Sequence, residues 1–156
     1  MNKWILLFGM CLAPLASASA TEKSCSVVSC NAGDKATTHI EDVGSHYFAC
    51  PTKEISEYVN FVWALVYTSY QMTGSLPNIS PKTGEPEYEG QSKSMIDSLR
   101  SQAGVSTYDQ AQGQCAKGRN KIQVMVMNNP KDSLSIWVAD KNNKAFWMPK
   151  AFLNKR

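Results

Sequence analysis

The side chains able to do chemistry are few. His39, Glu41, Asp42 and His46 lie close together in the sequence and carry ligand atoms for a divalent cation. The two histidines stand seven apart, however, and that separation matches no familiar ligand spacing on a helix or a strand. They read as loop residues. A serine nucleophile would need a strained Gly-x-Ser-x-Gly elbow, and the sequence has none. Glycoside hydrolysis needs two opposed carboxylates, and Glu41 with Asp97 or Asp109 could supply them. Met125 and Met127 offer soft sulfur to copper(I), yet two methionines alternating along a strand are more often packing. No Gly-rich phosphate loop is present, and no cofactor is expected.

The five cysteines carry the firmest chemistry. Lys3, the apolar run Trp4–Leu15 and the small residues Ala16–Ala20 have the anatomy of a secretory signal peptide. Residues 1–20 are therefore expected to be removed, and the remaining chain to begin at Thr21. Cys11 leaves with them. Cys25, Cys30, Cys50 and Cys115 stay, an even set in an exported chain, which reads as two disulfides. Three pairings exist; local closure of Cys25 with Cys30, leaving Cys50 for Cys115, is favoured over the two crossed ones. Paired Cys-x2-Cys knuckles are absent, which disfavours a structural metal, and so is a Cys-x-x-Cys redox motif.

The elements that must hold these residues follow from periodicity. Residues 52–73 form the clearest helix, with Thr52 as its cap, Gly74 at its end and Pro77 beyond. Lys53, Glu57, Asn60, Ala64, Thr68 and Gln71 fall on one narrow stripe, and apolar residues cover the rest. That predicts a central helix packed on several sides. A membrane-surface helix over residues 55–72 is the alternative, although its polar stripe carries only Lys53.

Residues 74–90 read as a long loop with an acidic tip at Glu85, Glu87, Tyr88 and Glu89. A helix is expected over 91–104. A shorter one follows to about Lys117, opened by the capping-box spacing from Ser106 to Asp109. From Ile122 onward the pattern changes to period two, with turns at Asn128–Asp132 and Asp140–Lys144. The expected fold is α+β: N-terminal helices packed on a C-terminal three-stranded antiparallel meander, in one disulfide-stabilised domain over residues 21–156. The long helix is expected to cover the face of Ile122, Val124, Val126, Leu134, Ile136 and Val138. Short extended pieces are expected near Thr37–Val43 and His46–Ala49.

Net charge hides a segregation. The whole chain carries +3, and +2 without its first twenty residues. Residues 21–116 hold 6 basic and 11 acidic side chains, whereas residues 117–156 hold 9 basic and 2 acidic ones. Trp137, Phe146, Trp147 and Phe152 lie among the basic residues. Such a surface can engage an acidic protein, anionic lipid or single-stranded nucleic acid; export disfavours the last. The opposite sheet face, with Met125, Met127 and Trp137, is half apolar, and is an interaction patch unless residues 21–50 cover it.

The sequence therefore points to an exported, non-catalytic binding protein of the cell envelope, such as an accessory component of an envelope, secretion or conjugation assembly. Its partner is expected to be another protein, with an anionic membrane surface as the second class. An inhibitor or immunity protein for a secreted enzyme is one alternative, and a small envelope hydrolase using Glu41 or His46 is another. The partner-binding candidates are Lys121, Met125, Trp137, Lys144, Phe146, Trp147 and Lys150 at the basic end. Glu85, Glu87, Tyr88 and Glu89 are the candidates on the loop.

Overall fold

A computed structural model describes residues 24–41 and 44–156. The expected signal peptide, Cys11, the new N-terminus at Thr21, and Asp42 lie outside the described residues.

The described chain is mixed helix and sheet. In chain order it runs β1 (Lys35–Thr38), β2 (Phe48–Ala49), α1 (Lys53–Thr73), α2 (Gly90–Ala103), α3 (Tyr108–Gln112), β3 (Ala116–Lys117), β4 (Gln123–Asn128), β5 (Ser135–Asp140), β6 (Ala145–Pro149) and β7 (Leu153–Lys155). The main sheet is five-stranded and antiparallel, ordered β6-β5-β4-β1-β7, and β2 pairs with β3 in a small second sheet. The expected meander is its β4-β5-β6 half. β1 and β7 extend it beyond three strands, and both are too short, at 4 and 3 residues, for period-two patterning to show.

Helix α1 begins where expected. The Thr52 side chain accepts a hydrogen bond from the Ile55 N–H, and Gly74 closes the helix in the left-handed conformation. The third helix is shorter than expected and starts one residue later. Thr107, not Ser106, is its cap, and it ends at Gln112. Ala116 and Lys117 pair with Phe48 and Ala49 instead of continuing it.

The core corrects one expectation. Ala36, Val124, Val126, Ile136, Val138 and Met148 fill one face of the main sheet, and each is at most 5% exposed. Burying each large aliphatic side chain contributes about 1.5–3 kcal/mol. Cys25, Cys30, Tyr47 and Leu153 complete that cluster, so this face is covered by the Cys25–Cys30 turn and Tyr47 and not by the long helix. Ile55, Tyr58, Val59 and Val62 of α1 belong to a second cluster with Phe48, Cys50, Ile96, Tyr108 and Ala111. Helix and sheet meet through polar contacts: Ser56 Oγ lies 2.9 Å from Ser135 Oγ, and Ser133 Oγ donates to Glu57. Ser135 precedes Ile136 by one residue, so it faces the other side of the sheet. The narrow polar stripe of α1 is therefore partly a docking edge. Asn60 belongs to it: its Oδ1 accepts from Phe48 N at 2.7 Å and its Nδ2 donates to Phe48 O at 3.0 Å.

Both disulfides join the favoured pairs, Cys25 with Cys30 and Cys50 with Cys115. The first closes the turn that lies over the inner sheet face. The second ties the entry of α1 to the segment that leads into β3.

Candidate functional site

The candidate site is built around the β5–β6 turn, Asp140 to Lys144. Asn143 there takes a positive φ of 60°, and the Asp140 carboxylate accepts from the N–H groups of Asn142 and Lys144 at 2.8 and 3.0 Å. The turn is thus closed by its own aspartate.

Facing it is the connection from β3 to β4, which carries Lys117, Arg119 and Lys121. The Gly118 N–H donates to Tyr47 O at 2.7 Å, and the Tyr47 hydroxyl donates to Arg119 O at 3.0 Å. Thr38 fixes the far end, with Oγ1 donating to Arg119 O and accepting from Ile122 N. Tyr47 itself is 2% exposed. A basic connection is therefore held by a buried tyrosine and a buried threonine, and its three cationic side chains are exposed.

Three depressions adjoin around this turn. One, of about 360 Å³, lies among Lys117, Arg119 and Lys144, with Tyr47, Ile122 and Phe146 as its apolar walls. The second, of about 440 Å³, adds Lys121 and Lys141 and shares Arg119, Ile122 and Asp140 with the first. The third, of about 480 Å³, opens onto the outer sheet face between Lys35 and Arg156, over Met125 and Met127. All seven cations are exposed. The ion pairs formed among the described residues are Lys53–Glu54, Lys93–Asp97, Arg100 with Glu85 and Asp97, and Lys155–Asp34, so none involves these seven. Among the described residues Asp140 is the only acid lining the three depressions, and its carboxylate is already engaged by the turn.

The outer face is laid out by strand register. Lys35, Met125, Ala139 and Ala145 stand opposite one another across four strands. Trp137 is paired with Trp147, and their rings stack with centroids 6.3 Å apart. Met125 is 46% and Met127 41% exposed. Helix α1 docks on this face at its Ser135 end, and the part that bears Met125 and Met127 stays exposed, while Cys25, Cys30 and Tyr47 lie against the inner face.

The sequence-predicted candidates divide. Lys121, Lys144 and Phe146 surround the basic depressions, and Met125, Trp137 and Trp147 share the adjoining outer face. Lys150 is a correction. Its ammonium donates to Pro130 O at 2.7 Å, and partial burial holds its pKa below the ordinary lysine value. It clamps the β4–β5 turn. Lys35, Lys117, Arg119, Lys141 and Arg156 belong with the site instead. Lys117, Arg119, Lys141 and Arg156 were already visible in the charge count; Lys35 was not, because it arrives on β1.

The loop candidates divide as well. Glu85 does not lie at an exposed acidic tip. It is 5% exposed, accepts from the Tyr58 hydroxyl at 2.5 Å, and pairs with Arg100. Burial, then the Glu85 carboxylate, pushes the Tyr58 phenol well above its ordinary value. The Tyr88 hydroxyl donates to Leu65 O at 3.2 Å, which straps the loop to α1. Glu87 and Glu89 are exposed beside a depression of about 630 Å³ that also contains Asn78 and Lys93.

The chemical candidates stay apart. His46 lies against Trp63, with ring centroids 4.0 Å apart, and edge-on to Phe48. Burial, with Lys117 adding to it, holds His46 below its ordinary pKa. His39 and Glu41 are exposed. Asp97 is bound to Lys93 and Arg100, and Asp109 is exposed at the first turn of α3. Among the described residues no three His, Cys, Asp or Glu side chains come together as a metal site would require. All the buried residues of α1 lie between Ile55 and Val62. Farther along, Tyr70 and Met72 are 49% and 80% exposed, so only the first half of this helix is central. Compared with protein-family models, curated proteins and solved structures, the chain matches none.

Proposed function

We propose that this chain is an exported, non-catalytic binding protein of the cell envelope, serving as an accessory component of an envelope, secretion or conjugation assembly. The observation that carries the reading is the concave surface around the β5–β6 turn. Seven exposed cations adjoin an exposed methionine-bearing sheet face, and no ion pair among the described residues neutralises them. Leaving so many cations unpaired at one place raises the energy of the free protein and favours an acidic partner. Exposed Met125 and Met127 add adaptable apolar contact. Two disulfides suit an oxidising compartment, and among the described residues no helix is long and apolar enough to cross a membrane. The signal-peptide anatomy of residues 1–20 supplies the export route. An inhibitor or immunity protein for a secreted enzyme would use the same surface, and the identity of the partner separates the two forms.

The test is affinity capture from the exported fraction with the processed protein. N-terminal sequencing is expected to begin at Thr21. A Lys121→Glu/Lys144→Glu variant is expected to lose the captured partner, and retention of every partner would remove this surface from the reading. If Glu41→Ala or His46→Ala abolished a turnover on envelope polymers, the protein would be a hydrolase and the non-catalytic reading would fall.

A further inference from the structure

The basic surface is neither a single pocket nor a flat patch. It bends around one turn, passes from three cations over Tyr47 and Phe146 to two more at Lys121 and Lys141, and ends on Met125 and Met127 between Lys35 and Arg156. A small anion would use one depression and leave the other cations unpaired. A sulfated or phosphorylated polymer would satisfy the charges but has no side chains for the apolar floors. Both features are matched by one chemistry, an extended peptide that carries acidic and apolar residues together.

We propose that the β5–β6 turn surface binds an extended acidic segment of a partner protein, with carboxylates against Lys117, Arg119, Lys121, Lys141 and Lys144 and apolar side chains on Met125 and Met127. This names the partner chemistry of the reading above and rests on it. Charge complementarity sets the sign of the partner: among the described residues one acid lines the whole surface, and that acid is spent on closing its own turn. The methionines select for apolar content. Their flexible thioethers sit beside the cations on the part of the outer face that α1 leaves exposed, at 46% and 41% exposure. Rim charges steer encounter and are screened by salt, whereas desolvated apolar contacts are much less so. The two contributions are therefore separable.

The experiment measures binding of four probes to the disulfide-bonded protein: a short peptide alternating glutamate and leucine, a polyglutamate of the same length, heparin, and phosphatidylglycerol-containing vesicles. The mixed peptide is expected to bind about tenfold more tightly than polyglutamate. Lys121→Glu/Lys144→Glu should weaken it at least about tenfold and reduce its salt dependence. Met125→Asp, or Met127→Asp as a second variant, should erase the preference for the mixed peptide while thermal unfolding stays unchanged, since both side chains are exposed. The proposal is overturned if the mixed peptide does not bind, if it binds no better than polyglutamate, or if heparin or vesicles bind more tightly and ignore the methionine variants. A partner captured from the exported fraction and released by the lysine reversals, with no peptide bound, would sink this proposal and leave the function standing. Peptide binding by a protein that is never exported would do the reverse.

Discussion

Glu85 illustrates how a residue that looks like surface charge is a core group. Proline and glycine around it mark a loop, yet the loop folds back, with Ser80 N donating to Glu85 O and Glu87 N to Asn78 O, each at 2.8 Å. That return turns the carboxylate inward to Tyr58 and Arg100. Removing the arginine would leave it buried with a single hydroxyl donor, so Arg100→Met should cost about 3 kcal/mol in urea unfolding; a loss under about 1 kcal/mol would contradict the buried pair. Other residues set acid sensitivity. His46 has a folded-state pKa below its ordinary 6.5, from burial first and Lys117 second. The unfolded chain then binds the proton more readily. Stability is complete above pH 6.5 and declines as pH falls through the folded value. Asp34 is held below its ordinary 3.8 by its hydrogen bond to Lys155, and further by the Asn31 N–H, so its contribution is present above pH 3.8 and is lost at more acid pH. Asp97, held down by Lys93 first and Arg100 second, contributes in the same acid range, so in unfolding midpoints measured across pH His46→Gln should remove the upper decline and Asp34→Asn should diminish the lower one.

At the scale of elements, the segments with long periods were legible and the short ones were not. Thr52 and Gly74 bound α1 as their chemistry requires, and Gly104 ends α2 in the left-handed conformation. Strands β4, β5 and β6 announce themselves by alternation. β1, by contrast, is Lys-Ala-Thr-Thr, with one apolar side chain buried inward, and its partners lie far along the chain. No local pattern encodes such a pairing. The face covered by α1 was misread for a related reason: Asn60 and Glu57 look solvated on a helical wheel, but their polar atoms serve Phe48 and Ser133. The basic end was legible by composition, and the depressions were not, because they depend on how the β3–β4 connection sits against the β5–β6 turn. Gly118 is the position that allows this seating. A Cβ there would lie 2.3 Å from the Tyr47 ring, and that ring is buried and cannot withdraw. Gly118→Ala should therefore destabilise the protein by about 1–3 kcal/mol. It should also weaken binding of the mixed glutamate–leucine peptide proposed above beyond what the lost stability explains, because Lys117 and Arg119 flank the displaced residue. Calorimetry and binding on the same preparation separate the two effects, and an unchanged melting temperature would refute the close packing.

For the molecule as a whole, the two disulfides do different work. Cys25–Cys30 closes a separation of 5 residues and Cys50–Cys115 one of 65. Chain entropy makes the longer closure worth about 4 kcal/mol and the shorter about 2 kcal/mol. The longer bond also has a position. Cys50 adjoins β6 through its backbone bridge to Trp147 and contributes to the wall of the first basic depression, while Cys115 leads directly into β3 and the cations at Lys117 and Arg119. Both cysteines belong to the acidic part of the chain, and Cys115 stands two residues before the basic part begins at Lys117. Breaking this bond should therefore reduce stability and affinity together, whereas breaking Cys25–Cys30 should reduce stability alone. A Cys50→Ser/Cys115→Ser double variant, kept folded at low temperature, is expected to bind the mixed glutamate–leucine peptide proposed above at least about tenfold more weakly than a Cys25→Ser/Cys30→Ser variant of comparable folded fraction. Equal affinities in the two variants would mean that the basic surface is held by Tyr47 and Thr38 without the disulfide, and would confine the bond to a role in the unfolded state.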